Sequence, residues 1–219
     1  MINLQEISNL MRKDFLLDMR SKNILLSTLL YIFSTVFVCF LSFKNLGPDH
    51  WNSLFWIIVL FAVTNAGNKI FINESGAQRT YLYTLAGPRS VIISKLMYQW
   101  VFTGFLALLV AISCIVLFNA EIHHPLYFSF AVVLGIWAMS NILTLNNALS
   151  SSTNNSPTVL AILSFPILLP VLMTTIKASR YALMSEINAD IVAHLLVLVL
   201  LNALTAVLSV ILFPYLWRY

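Results

Sequence analysis

Residues 122–176 read IHHPLYFSFAVVLGIWAMSNILTLNNALSSSTNNSPTVLAILSFPILLPVLMTTI and contain no Asp, Glu, Lys or Arg. A transmembrane helix needs about 20 apolar residues, because each residue adds about 1.5 Å towards about 30 Å of hydrocarbon. This uncharged run is long enough for two such helices, and the polar segment Asn146–Pro157 in its middle marks their connection. We therefore expect spans at 126–146 and 158–176.

The rest of the chain repeats this pattern of long runs without charge. Charged residues make up only 9% of the 219 residues and hydrophobic residues 60%, whereas soluble domains carry about 25% charged residues. Strands of a membrane barrel would alternate in polarity, so the uninterrupted runs predict helices. We expect one all-α transmembrane domain, residues 1–219, with further spans at 24–43, 53–72, 96–118 and 191–214.

The basic residues predict which way the spans run. If the N-terminus is cytoplasmic, nine of the 12 Lys and Arg residues lie in inner segments. The outer loops then hold only Lys44, Lys177 and Arg180. This asymmetry fits the positive-inside rule and predicts that both termini are cytoplasmic. The net charge of +4 thus reports orientation and does not indicate a nucleic-acid partner.

Residues 1–22 precede the first span and have the pattern of an amphipathic helix. Apolar residues recur at three- and four-residue spacing, and Asn3 and Glu6 have the spacing of a capping pair. We expect this helix to lie on the inner membrane surface. The alternative is a cytosolic helix packed on a partner. The apolar positions are Leu4, Ile7, Met11, Phe15 and Met19.

The span at 158–176 contains Pro166 and Pro170. Proline removes a backbone donor and clashes with the preceding turn, so we expect an irregular helix here, a candidate outer gate. A break beside the outer loop suggests that residues 177–190 form a segment that re-enters the membrane. A simple proline kink is the alternative.

The inner loop at 73–90 predicts a short helix between two spans. Ser75 and Gln78 have the spacing of a helix cap, and Gly87-Pro88 would end the helix. A cytoplasmic amphipathic helix of this kind is suited to docking a soluble partner. An ordinary interfacial loop is the alternative. The apolar face would contain Ala77, Tyr81, Leu82 and Leu85.

Polar residues within the spans are candidates for a substrate path, because such groups usually face a bundle interior or a cavity. Interhelical hydrogen bonds are the alternative explanation. The four histidines are expected at or near the outer side, and several aromatic residues, among them Trp51, Phe55 and Trp56, are expected at the membrane edges. The candidate path residues are Asn65, Asn68, Asn141 and Thr144.

Several segments resemble the CcmB family, the heme exporter B proteins, within the membrane subunits of type-2 ABC exporters. The resemblance rests on Glu74-x-Gly76, the hydrophobic pair Leu82 and Leu85, and Lys95 opening the third span. The segments KLMYQWVFTG from Lys95 and SPTVLAILSFPILLP from Ser156 are also similar to that family. Length, six spans and inward termini agree across the chain.

The resemblance implies an ABCG-like permease in the bacterial inner membrane that pairs with itself and with a cytoplasmic ABC ATPase. It also implies a heme-handling membrane subunit and a small helper as partners in heme delivery and release of the heme chaperone during cytochrome c maturation. Heme would be cargo, and ATP would bind the partner subunit. The expected ATPase-coupling residues are Glu74, Gly76, Tyr81, Leu82 and Leu85.

The residues themselves indicate no chemistry carried out by this chain alone. No Gly-rich nucleotide loop with the Walker spacing is present, and all five tryptophans are isolated. We therefore expect no catalytic residue and no cofactor- or metal-binding residue. Two alternatives to heme delivery remain open: a general type-2 exporter of drugs, lipids or glycans, and a membrane scaffold that transports nothing.

Overall fold

The structure is a computed structural model that describes residues 4–20, 22–43, 46–67, 86–118, 122–151, 157–183 and 190–216. The regular structure in these ranges is entirely α-helical, which confirms the predicted all-α class. The helices are α1 Leu4–Arg20, α2 Lys22–Ser42, α3 Pro48–Gly67, α4 Pro88–Phe118, α5 Pro125–Ser151, α6 Pro157–Leu183 and α7 Asp190–Leu216.

Four helices are long and apolar enough to cross a membrane. They correspond to Pro88–Phe118, Pro125–Ser150, Ile162–Leu183 and Val192–Tyr215. In α2 the apolar part that the structure describes is the shorter segment Leu26–Ser42. Large apolar side chains on α2 and α7, such as Phe33 and Leu200, are exposed, as expected for helices that face lipid. The chain is therefore a membrane protein with four clear spans in the described part.

Helix α5 is the centre of the bundle. It packs against α3, α4, α6 and α7, and its second half is almost entirely buried. Gly135 permits the closest approach: a Cβ atom there would lie 2.6 Å from Cη2 of Trp56 and closer still to Cγ2 of Thr175. The absence of a side chain at Gly135 therefore lets α3 and α6 meet against α5.

Contacts between helix ends define two ends of the bundle. At one end the backbone N–H of His124 donates to the carbonyl of Ala182 at 3.1 Å, and the rings of Tyr181 and His194 lie 5.6 Å apart. His50 and His123 also lie here, at the starts of α3 and α5, so we name it the histidine end. We name the opposite end, where α4 begins beside Glu6, the junction end.

The structure corrects the predicted end of the fifth span. Helix α6 continues through Leu183, so residues 177–183 form its last turns and not a separate re-entrant segment. The predicted break is also wrong, because Pro166 and Pro170 lie inside this one helix, both on its exposed face. Residues 184–189, the rest of the expected segment, lie outside the described residues.

The last turns of α6 are held against the start of α3. Arg180 pairs with Asp49, with Nε 2.7 Å from Oδ1. Deeper in the bundle, Trp56 Nε1 donates to Ser179 Oγ at 2.7 Å, and Ser179 Oγ donates to Asn52 Oδ1 at 2.8 Å. We call these five residues the α3–α6 clamp. These contacts explain why α6 remains helical beyond the first charged residue after its apolar run.

The aromatic residues at the start of α3 are core residues and not membrane-edge anchors, contrary to the prediction. Trp51, Phe55 and Trp56 are all buried, and Trp51 and Phe55 stack with their ring centroids 5.7 Å apart. Phe128 of α5 completes this cluster, 5.7 Å from Phe55. Aromatic side chains bury large areas, so the cluster stabilises the histidine end.

Candidate functional site

The N-terminal helix α1 supplies a carboxylate to the first turn of α4. The backbone N–H of Gly87 donates to Oε1 of Glu6 at 2.8 Å, and Ser90 Oγ donates to Oε2 at 3.2 Å. Helix α4 begins at Pro88, a residue suited to the first helical position because it needs no N–H partner there. A negative charge is also favoured at this end of a helix dipole. Glu6 therefore caps a helix that begins about eighty residues later.

Two further acidic residues of α1 meet α4 below this cap. Lys95 Nζ lies 3.3 Å from Oδ2 of Asp14, and both side chains are buried. The hydroxyl of Tyr98 donates to Oδ2 of Asp18. Glu6, Asp14 and Asp18 thus meet α4 in chain order, so α1 runs parallel to the first turns of α4. We call these contacts the α1–α4 junction.

The junction explains the orientation of the N-terminal helix. In α1 the buried residues are Ile7 and Asp14, whereas Leu4, Phe15 and Met19 of the predicted apolar face are exposed. The acidic row therefore contacts α4, whereas the described helices leave much of the apolar face uncovered. Helix α1 is thus attached along the first turns of α4, which its apolar pattern did not indicate. Its expected place on the inner membrane surface stays a prediction.

The predicted ATPase-coupling residues adjoin this junction in the chain. Glu74, Gly76, Tyr81, Leu82 and Leu85 all lie within 68–85, outside the described residues. That segment connects Gly67, the last residue of α3, with Ala86, next to the capped turn of α4. Their role in coupling stays a prediction, and the junction is the first described structure that follows them.

The predicted path residues in α5 make hydrogen bonds inside the bundle. Asn141 Oδ1 accepts from Trp100 Nε1 at 2.6 Å, and its Nδ2 lies 3.3 Å from Oδ1 of Asn202. The hydroxyl of Thr144 donates to the carbonyl of Ser140 within the same helix at 2.8 Å. Asn65 is half-buried, and Asn68 lies outside the described residues. Asn141 thus connects α4, α5 and α7. This is the interhelical hydrogen bonding that the sequence offered as the alternative to a substrate path.

Two more asparagines extend this polar network along α5. Asn146 Nδ2 donates to Ser164 Oγ of α6 at 3.0 Å, and Asn147 Nδ2 donates to the carbonyl of Gly67 in α3 at 2.8 Å. Each buried amide thus joins α5 to a different neighbour. Such bonds are favoured within a membrane, where no water competes for the polar groups.

Four buried polar atoms of the described residues lack a hydrogen-bond partner: Trp51 Nε1, Gln99 Nε2, His124 Nε2 and Ser140 Oγ. Buried polar groups are nearly always satisfied, so such atoms mark positions where a polar group of another molecule could bind. Gln99 is not among the predicted path residues. Its only signal in the sequence is a single amide within an apolar span, in the segment that resembles the CcmB family.

The histidines and prolines do not form a common site. The four histidines lie at one end of the bundle, the histidine end, and a partner for His124 Nε2 is lacking among the described residues. That this end faces outward stays a prediction. Pro166 and Pro170 lie farther along α6, on a face that the described helices leave open. The structure therefore does not bring the predicted gate residues together with the histidines.

Comparison with known proteins identifies a family for nearly the whole chain. The profile of the family described as CcmB protein matches residues 5–216. This range includes the junction, the polar network of α5 and the α3–α6 clamp. A search of curated proteins found no matching relative.

Proposed function

Because this chain belongs to the CcmB family, the membrane subunits of a heme exporter in cytochrome c biogenesis, we propose that it is the permease subunit of an ATP-driven complex. The ATPase would be a separate cytoplasmic chain, since the sequence has no Walker nucleotide loop. The family match over residues 5–216 carries this proposal. The permease would pair with a second copy of itself and with a heme-handling membrane subunit and a small helper.

The proposed fold is a type-2 exporter permease with six spans in the bacterial inner membrane. Helices α2 and α3 would supply the two spans beyond the four clear ones, since α3 has 20 residues and α2 has 21. The junction end would face the cytoplasm. Arg89 and Lys95 at that end support this orientation through the positive-inside rule.

The α1–α4 junction supports a specific coupling mechanism. The proposed ATPase contact, the loop at 73–90, includes the capped turn of α4, where the N–H of Gly87 donates to Glu6. A displacement of this segment by the ATPase would act on the capped turn of α4 and, through Asp14 and Lys95, on α1. In this mechanism α1 and α4 move together as one unit.

The cargo assignment is tested by deleting the gene and measuring covalent heme in c-type cytochromes by heme staining of gels. We expect these cytochromes to lose their heme and to recover it with the wild-type gene. Full heme attachment after deletion would instead favour a general exporter or a scaffold, the two alternatives to heme delivery.

The coupling segment is tested with Leu82→Asp. An aspartate on the proposed apolar face would place an unpaired charge in the ATPase contact, so the ATPase should no longer copurify. Tyr83→Asp is the matched control, because residue 83 lies on the opposite side of the predicted helix. Equal copurification of the ATPase with both variants would exclude this face as the contact.

A further inference from the structure

A groove of about 610 Å³ lies between α1, α2 and α4, below the junction. One side of α1 and one side of α4 form its walls, with Phe15 and Met19 facing Val101 and Phe105, and Leu29 of α2 contributes the third wall. At 1.5 Å per residue, the α4 wall from Tyr98 to Leu106 is about 12 Å long. The groove is thus long, narrow and almost entirely apolar.

The polar groups of the groove are concentrated at three residues. The carboxylate of Asp18 accepts a hydrogen bond from the Tyr98 hydroxyl, so this oxygen already has a partner. Arg12 is exposed and pairs with no residue in the part of the chain that the structure describes. The neighbouring Lys13, in contrast, lies 3.4 Å from Asp14. The guanidinium of Arg12 is therefore the charge available to a bound molecule.

We propose that this groove binds one phospholipid with an anionic headgroup. An acyl chain would lie between α1 and α4, and the lipid phosphate would accept hydrogen bonds from Arg12, whose planar guanidinium suits bidentate contact with phosphate. Basic residues on amphipathic helices attract anionic lipids in the same way. This inference concerns a lipid site and does not depend on the cargo of the transporter.

The position of the groove favours lipid over other occupants. Val101 and Phe105 are 67% and 52% exposed and belong to a membrane-spanning helix, so hydrocarbon is the medium beside them. A soluble ligand would not reach this depth, and an apolar partner helix would leave Arg12 without an anion. A phospholipid satisfies both parts of the site, because its chain is apolar and its headgroup is negative.

The headgroup contact is tested by native mass spectrometry of the purified protein in an equal mixture of dioleoyl phosphatidylglycerol and dioleoyl phosphatidylcholine. We expect the wild-type protein to retain phosphatidylglycerol in preference to phosphatidylcholine. In Arg12→Gln the ratio of the two retained lipids should fall about fivefold, which corresponds to about 1 kcal/mol for one basic residue near an anionic surface. Arg20→Gln is the control, because Arg20 is also exposed on α1 but does not line the groove. An equal preference in both variants would overturn the contact.

The chain contact is tested in the same experiment by filling the groove. Val101→Trp should reduce retention of both lipids, whereas Val116→Trp, at a 73% exposed position on the same helix outside the groove, should not. Unchanged lipid retention with Val101→Trp would overturn the proposal. If Val101→Trp retains lipid but, unlike Val116→Trp, loses the mass peak of the dimer, the lipid proposal is overturned. The occupant of the groove would then be a second copy of the chain.

Discussion

Lys95 Nζ lies 3.3 Å from Oδ2 of Asp14, and the two side chains are only 4% and 9% exposed. This buried ion pair joins the N-terminal helix to α4, the first long span after the proposed coupling segment. Burying two charges is costly, so their mutual attraction and hydrogen bonding must offset the loss of water. The pair therefore fixes the position of α1 more strictly than apolar packing alone would.

Removing one member of this pair should destabilise the protein strongly. Lys95→Met leaves the Asp14 carboxylate buried without its main partner, at a cost of about 3–5 kcal/mol. Thermal unfolding in detergent should show a large drop in Tm, and the added variant Asp14→Leu should recover most of it. Lys177→Met, at an exposed position of α6, is the control and should unfold like wild type. A Lys95→Met protein as stable as this control would contradict the role of the pair.

Gly135 should not tolerate a side chain. Gly135→Ala would place a Cβ 2.6 Å from Trp56 Cη2, and overpacking of this kind costs about 1–3 kcal/mol. Gly104→Ala is the matched control in α4, where a Cβ would meet nothing within 4 Å. We expect a lower Tm for the first variant and an equal or higher Tm for the second. The reverse order would show that α3, α5 and α6 do not meet closely at Gly135.

The buried hydrogen bonds of the α3–α6 clamp, between Trp56, Ser179 and Asn52, depend on one hydroxyl. Ser179→Ala would leave Trp56 Nε1 and Asn52 Oδ1 without their shared partner, which should cost about 1–3 kcal/mol. Ser113→Ala is the control, because among the described residues the Ser113 hydroxyl bonds only to the Leu109 carbonyl of its own helix. Thermal unfolding of both variants measures the difference, and equal Tm values would contradict a stabilising clamp.

The prolines of α6 allow the gate hypothesis to be tested apart from folding. Pro166→Ala with Pro170→Ala restores two backbone donors inside a continuous helix, so the variant should be at least as stable as wild type. If the weakened helix acts as an outer gate, heme attachment to c-type cytochromes should fall although the protein still assembles. Normal heme attachment by the stable double variant would rule out the gate.

The orientation is tested with single cysteines at Ser75 and Ser185, after replacing Cys39 and Cys114 by alanine. An impermeant thiol reagent added to spheroplasts should label position 185 and leave position 75 unlabelled, because the basic residues predict a cytoplasmic 73–90 loop. Permeabilised cells provide the control for reactivity. Labelling of position 75 before permeabilisation would reverse the topology.

The sequence predicted the helical runs well because absence of charge is a strong local signal. It did not show how far a helix extends beyond its apolar run when a charge has a partner elsewhere in the chain. The span expected at 96–118 belongs to α4, which begins at Pro88, where Glu6 caps its first turn. The span expected at 158–176 belongs to α6, which runs on to Leu183, since Arg180 meets Asp49.

The junction could not have been predicted from local pattern. Glu6, Asp14 and Asp18 appeared to belong to the solvent side of an amphipathic helix, and nothing near them in the sequence identifies α4 as their partner. The burial of Trp51 and Trp56 could not be predicted for the same reason. Their positions near the end of a span are typical of membrane-edge residues, and only the folded structure shows their contacts with α5 and α6. The interhelical role of Asn141, in contrast, follows from the general behaviour of amides in membranes.

The distance along the chain between Glu6 and Gly87, 81 residues, has a consequence for biosynthesis. At about 5–20 residues per second, the ribosome needs roughly 4–16 s to make α4 after α1 has emerged. During this interval the three carboxylates of α1 lack the partners that α4 supplies. A nascent chain that stops before Gly87 thus lacks every α4 partner of its first helix, which makes synthesis of α4 the step that completes the N-terminal part of the protein.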